Sequence, residues 1–222
     1  MTGRVLLLVL AKAPHLGRVK TRLCPPADPE QAAEIAAAAL LDTVDAVRAV
    51  PDGLPVLALR GKLAGARRAD ELAAALDGVP TLPQRGDSLG ERIAAAHADA
   101  AALSPGSAVL QIGMDTPQVH AALLERCVRT LLRRGTDAVL GPAADGGWWA
   151  LGLRDPHAAA GIAAVPTSRA DTAARTAAAL RGGGLRVRGL PELRDVDTAA
   201  DAVAVAAAAP GGRFASAVRE LT

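Results

Sequence analysis

The chain has 222 residues, long enough to bury a sizeable core and better matched to a single domain over residues 1–222 than to two small ones. Half of it is hydrophobic, yet aromatic residues are only 1% and alanine is abundant, so many helices are expected, with leucine, valine and isoleucine carrying the packing. With 25 basic against 23 acidic residues, the balance excludes a protein that coats nucleic acid.

Two cysteines, Cys24 and Cys127, have no metal-ligand spacing and read as reduced thiols. The apolar run from Val5 to Leu10 is too short for a secretory signal, and no run approaches the ~20 apolar residues of a membrane span. A cytoplasmic protein with neither a membrane nor a nucleic-acid partner is expected.

Along the chain, Val5 to Leu10 reads as a buried strand, followed by a loop from Lys12 to Pro26. Asp28 and Pro29 open a helix that runs to Arg48, and a second strand covers Pro55 to Leu59. A helix over Arg67 to Leu76 follows, then the capping box Ser88-Leu89-Gly90-Glu91 with its helix to Ala102. Ala108 to Ile112 is a buried strand, and Thr116-Pro117 is expected to cap the helix that ends near Gly135. Ala138 to Leu140 and Trp148 to Leu153 read as strands around an Asp145-Gly146-Gly147 turn. Ser168 is expected to cap a helix reaching Arg181, before a last strand at Leu185 to Val187. Thr198 to Asp201 caps a final Ala-rich helix, and Pro210 to Phe214 is the loosest stretch. This alternation predicts an α/β fold, a mostly parallel sheet with helices on both faces. Ligands of such sheets gather beyond the carboxyl ends of the strands, where the loops after Leu10, Ile112 and Leu140 should meet.

Those loops hold the unusual polar residues. Lys12, Arg18, Lys20 and Arg22 fall within eleven residues, and Gly17 lets backbone amides approach an anion. The pattern is not a P-loop; it fits either a phosphate grip or a solvated basic loop. Asp115, in Gly113-Met114-Asp115-Thr116-Pro117, could hold a divalent cation or cap the next helix. Asp145 to Gly147 could be a plain hairpin turn, but both tryptophans, Trp148 and Trp149, adjoin it. On a strand they face opposite ways, so one could enter the core while the other lines a pocket. In Asp195-Val196-Asp197-Thr198 a carboxylate could be a second metal ligand or ordinary helix capping. The four histidines show no zinc spacing, and there is no Ser/His/Asp set.

Taken in order, the A-K-A-P-x-x-G-x-V-K-T-R-L segment, Leu89-Gly90-Glu91-Arg92, G-x-D-x-P, the G-P-A-x-D-G-G segment before the two tryptophans, and D-V-D-T span almost the whole chain. They resemble small bacterial transferases once classed only as a domain of unknown function. These are now called nucleotidyltransferase-A-like, or glycosyltransferases associated with arsenosugar biosynthesis. The resemblance implies the GT-A fold of nucleotide-diphospho-sugar transferases, similar to molybdenum-cofactor and lactyl-phosphate guanylyltransferases. It puts Asp115 on the metal-binding aspartate, completed by Asp197, with Mg²⁺ or Mn²⁺ as cofactor. It puts Lys20 and Arg22 on phosphate-gripping positions beside Lys12, Gly17 and Arg18. Asp145, Gly146, Gly147 and Trp148 fall on the acceptor side. Two departures stand out: Thr116 replaces a frequent cysteine, and tryptophans replace the usual tyrosines.

The implied function is a metal-dependent transferase. The first expectation is nucleotidyl transfer from a nucleoside triphosphate to a small phosphate or phosphonate acceptor. Lys20, Arg22 and Asp115 would be its central residues. The alternative is glycosyl transfer from an NDP-sugar with Asp145 as base. The third is a nucleotide-binding protein without catalysis. Dimerisation is left open.

Overall fold

A computed structural model describes residues 4–221; the ends of the expected domain, 1–3 and 222, lie outside the described residues. The run from Val5 becomes β1 (Val5–Lys12), buried on both faces through Val9, as its unbroken apolar sequence requires. It pairs in parallel with β2 (Gly53–Arg60) on one side and with β4 (Ala108–Gly113) on the other. The full sheet runs β3-β2-β1-β4-β6-β5-β7, where β3 is Thr81–Pro83, β5 Ala138–Pro142, β6 Trp148–Leu153 and β7 Val187–Gly189. Only β6 is antiparallel to its neighbours, because the tight turn at Asp145 joins it to β5 as a hairpin. The sheet is therefore mostly parallel, as expected.

The helices are α1 (Pro29–Arg48), α2 (Ala69–Ala75), α3 (Leu89–Leu103), α4 (Ala121–Leu132), α5 (Thr172–Gly182), α6 (Ala199–Ala208) and α7 (Arg213–Arg219). On one face Leu7, Val9, Leu110 and Ile112 pack against Leu40 of α1 and Leu124 of α4. On the other face Leu6, Leu8 and Val109 meet Ala96 and Ala100 of α3. Farther along that face Leu140 and Leu151 meet Ile93 of α3 and Leu180 of α5. A further layer covers the outer side of α1, where Ile35 and Ala39 pack against Val205, Phe214 and Val218. Burial on two sides explains why α1 is so rich in alanine: small side chains let both the sheet and α7 come close.

Several boundaries differ from expectation, each for a local reason. Asp28 caps α1 as read, accepting from Gln31 N at 2.8 Å, and Ser88 and Thr198 form full capping boxes. Thr116, however, caps nothing. Helix α4 starts at Ala121, and Thr116 is buried inside a turn whose carbonyl accepts from Val119 N at 3.0 Å. Ser168 is likewise no cap: it takes a left-handed φ of 59° in a turn, and α5 begins only at Thr172, whose hydroxyl accepts from Arg169 N. The last strand begins two residues late, since Leu185 N is still bonded to Leu180 O at the end of α5. The stretch read as loosest instead leads into α7. The Asp42 carboxylate accepts from Arg213 N and Phe214 N, capping that helix from α1. Strand β3 is not foreseen, since three residues that follow Pro80 and end on Pro83 carry too little periodicity.

Under the sheet, on the α3 face, His97 is fully buried and its Nε2 lies 3.0 Å from Gln111 Oε1. Burial pushes its pKa down to about 4, so the folded state keeps it neutral while the unfolded chain takes up a proton near 6.5. The unfolded state thus binds more protons between these values, and stability should fall as pH drops through that window. Urea unfolding at pH 7 and pH 5 should differ by about 2 kcal/mol from this group, and His97→Gln should remove that part of the difference. An unchanged pH slope in the variant would show that His97 is not the cause.

Candidate functional site

The carboxyl ends of the parallel strands lie on one side of the sheet, and residues at or just after the ends of β1, β2, β3 and β4, with the start of α3 and Asp197, enclose a cleft of about 340 Å³; the loop after Leu140, expected to meet them, is not among its lining residues. Six cations line the cleft, Lys12, Arg18, Lys20, Arg22, Arg60 and Arg92, with the two carboxylates Asp115 and Asp197.

The loop after β1 is held from the side. Ala13 N donates to Arg60 O at 2.9 Å, Arg67 N to Pro14 O at 2.9 Å, and His15 Nε2 lies 2.9 Å from Lys62 O. His15 is therefore a brace for the loop. The chain then returns over the cleft and reaches Lys20, whose φ of 50° is left-handed, just before a short 3-10 turn at Thr21–Leu23 anchored by the buried Leu23. That turn directs the Lys20 ammonium inward. It is almost wholly buried, pairs with the Asp115 carboxylate, and donates to Val196 O. Arg22 pairs with Asp197 at 3.0 Å, and Val196 N donates to Asp115 O at 2.8 Å. Three segments distant in sequence, around residues 20, 115 and 196, are thus stitched together at the end of β4.

Beside this junction Asp145, Asp195 and Asp197 bring carboxylate oxygens within 4.8 Å of one another. The Asp145 turn is fixed by Gly147 N donating to the Asp145 carboxylate at 2.7 Å and by Ala144 N donating to Leu193 O at 2.9 Å. Gly146 is required there: its φ is +88°, and a Cβ would sit 2.1 Å from Ala170 O. Burial, then repulsion from Asp145, with smaller pushes from Asp197 and Asp115, raises the Asp195 carboxyl to about 6. A set of hard oxygen donors that repel one another in this way is the chemistry that suits Mg²⁺ or Mn²⁺.

The residues read from the sequence divide cleanly. Lys12, Arg18, Lys20, Arg22, Asp115 and Asp197 all line the cleft. Gly17 has a φ of +67° and shapes the loop without lining it. Gly146 and Gly147 form the Asp145 turn beside the cleft. Trp149 is the core tryptophan, with its indole N–H donating to Pro191 O at 2.9 Å. Trp148 is half-buried against the cluster of Ile93, Leu140 and Leu151 and is not among the residues lining the cleft. The register of β5 against β6 slips at Gly141/Pro142, next to both tryptophans.

Sequence reasoning missed Arg60, Gln84 and Arg92. Gln84 bridges the ends of two strands, its amide donating to Ala11 O at 2.7 Å and Ala58 O at 2.9 Å. A signal for Arg60 existed: it ends an apolar strand next to Gly61, as Lys12 ends β1. Arg92 could have been found from the capping box, which places it in the first turn of α3.

Residues 43–169, more than half of the chain, match the family model described as "Uncharacterized protein conserved in bacteria (DUF2064)". The chain belongs to this DUF2064 family. The matched span holds Asp115 and Asp145, while the basic loop and Asp197 lie outside it. No curated protein matches. Among solved structures, a Desulfovibrio desulfuricans G20 protein provisionally named a nucleotide-diphospho-sugar transferase is 26% identical, with a TM-score of 0.78 over 99% of this chain and 95% of that one. A cytidylyltransferase of Leptospira borgpetersenii is 11% identical, with a TM-score of 0.57 over 99% and 94%. A 4-diphosphocytidyl-2C-methyl-D-erythritol synthase of Anaerococcus prevotii is 12% identical, with a TM-score of 0.56 over 99% and 96%. The last two share the fold, which is that of nucleotide-diphospho-sugar transferases. Among the described residues no helix is long and apolar enough to cross a membrane.

Proposed function

We propose that the chain is a metal-dependent nucleotidyltransferase that joins a nucleoside monophosphate unit from an NTP to a small phosphate or phosphonate. The observation that carries this reading is the pairing of the buried Lys20 with the half-exposed Asp115 at the end of β4, set between a cation-lined cleft and a cluster of carboxylates. A triphosphate needs cations along its length, and the cleft supplies them. A hard divalent cation needs a few carboxylates, for which Asp115 and Asp197 are the candidates, with Asp145 and Asp195 within 4.8 Å of Asp197. Mg²⁺ or Mn²⁺ bound there would supply Lewis-acid charge to the phosphate oxygens.

The chain's own residues would orient and neutralise. An acceptor phosphate oxygen attacks the α-phosphorus, and the bond from that phosphorus to the bridging oxygen breaks. Pyrophosphate leaves with the electron pair, and Lys20 and Arg22 stabilise its charge. An already ionised acceptor needs no general base, and among the described residues no histidine lines the cleft. The fold shared with cytidylyltransferases supports this choice.

A second reading, glycosyl transfer from an NDP-sugar, draws on the name of the D. desulfuricans protein. Asp145, beside Asp195 and Asp197, would then take the acceptor hydroxyl's proton. A thermal-shift screen of NTPs and NDP-sugars with and without Mg²⁺ separates the two. The nucleotidyl reading expects Mg²⁺-dependent stabilisation by an NTP and none by any NDP-sugar. The reverse pattern would overturn it, and stabilisation by neither class would favour a nucleotide-independent role.

A further inference from the structure

The cations of the cleft are not equivalent. Lys20 and Arg22 are paired with Asp115 and Asp197. At the other end, Lys12 and Arg60 are register partners at the carboxyl ends of adjacent parallel strands, so their side chains leave the same face. It is the α3 face, since Leu10 and Ala58, two residues before each, pack there. Arg92 rises toward them from the first turn of α3, and all three line the cleft.

Among the described residues none of the three has a carboxylate partner. The Lys12 ammonium donates only to Arg18 O, Arg92 only to the carbonyls of Gly86 and Asp87, and the Arg60 side chain to nothing. Elsewhere arginines of this chain find acids readily, as Arg67, Arg68, Arg186 and Arg213 do. Burial and then Arg60 push the pKa of Lys12 down, and the same two causes lower that of Arg92. Three converging cations repel one another in the free protein; Glu91 and Asp87 offset part of this at Arg92, and a bound anion would offset the rest. The amino end of α3, where Leu89 lines the cleft, opens at the same place, its partial positive charge shared with the Glu91 carboxylate of the capping box.

We propose that Lys12, Arg60 and Arg92 form a phosphate-binding subsite separate from the acid-paired Lys20–Asp115 end of the cleft. Its ligand is a phosphate-class oxyanion, held by charge-assisted hydrogen bonds from the two guanidinium groups and the ammonium. The proposal rests on the nucleotidyltransferase reading only for the source of that phosphate: either the nucleotide's own phosphates or the phosphate of the second substrate. Gln84, tied to both strands, keeps the ends of β1 and β2 in the register that sets Lys12 beside Arg60.

The test is calorimetric titration of inorganic pyrophosphate into the intact chain without divalent metal. Wild type should bind. The Arg60→Gln/Arg92→Gln double variant should bind about tenfold more weakly or worse, while its ligand-free melting temperature stays level or rises as repulsion is relieved. Arg129→Gln, at an exposed arginine of α4 outside the cleft, should change affinity by less than about threefold. A double variant that stays folded and binds like wild type would overturn the proposal, as would a wild type that does not bind. Repeating the titration with a saturating non-hydrolysable NTP assigns the source. Lost pyrophosphate binding means the subsite serves the nucleotide, and retained binding means it serves the second substrate. A chain that binds pyrophosphate through Arg60 and Arg92 but no NTP would keep this subsite and lose the nucleotidyltransferase reading, so the two failures are distinct.

Discussion

Replacing Asp115 by asparagine should lower the metal-dependent transfer rate about 100- to 1,000-fold while the protein stays folded. The substitution keeps the shape of the side chain and leaves untouched the backbone tie from Val196 N to Asp115 O. What it removes is one negative charge at the point where the cation-lined cleft meets the carboxylates. Lys20 loses its counter-ion but retains its bond to Val196 O, and Asp115 is half exposed, so solvent screens much of the lost attraction. The loss should therefore fall on turnover and on the Mg²⁺ concentration needed, rather than on melting temperature. Rates measured across a Mg²⁺ titration check this. An asparagine variant with full turnover would remove Asp115 from the metal site.

Phe214→Ala should cost about 3–5 kcal/mol of folding stability. Phe214 is the only phenylalanine of the chain and lies buried in the layer formed by α1, α6 and α7. Its backbone N–H is held by Asp42, so the helix start cannot shift to refill the space. Urea unfolding should show a lower midpoint with little change in slope. A loss below about 1 kcal/mol would mean that α7 is not packed against α1 in solution.

Much of the scaffold was legible because its signals were local. The apolar run at Val5 could only be a strand buried on both faces, and the Asp28, Ser88 and Thr198 caps each announce a helix within four residues. What escaped was set at long range. Helix α7 is capped by Asp42, far away in the sequence, so the stretch before Phe214 offers no cap of its own. Thr116 looked like a cap because Thr-Pro commonly is one, but a turn intervenes and α4 starts four residues after Pro117.

The site followed the same division. The basic loop and Asp115 stand out as residues, and they converge as their position at strand ends implies. Their pairing does not show in the sequence: Lys20, which the resemblance puts on a phosphate-gripping position, also pairs with Asp115. The cations without acidic partners include Arg60, which no motif singles out, and Arg92, which the Leu89-Gly90-Glu91-Arg92 segment contains without giving it a role. They become visible only once β2 lies beside β1 and α3 crosses above them. Asp195 is a similar case. Its segment was noted, but its closeness to Asp145 depends on the tie between Ala144 and Leu193.

In the proposed site Asp115 and Asp197 hold a divalent cation against the phosphates of a nucleotide. Crystals soaked with Mn²⁺ and a non-hydrolysable NTP test it most directly, because manganese can be located by its anomalous scattering. One manganese peak is expected within coordination distance of both carboxylates, with triphosphate oxygens on its remaining positions and the triphosphate running along the cations of the cleft. Nucleotide bound with no manganese at those carboxylates, or manganese held away from Asp115 and Asp197, would contradict it.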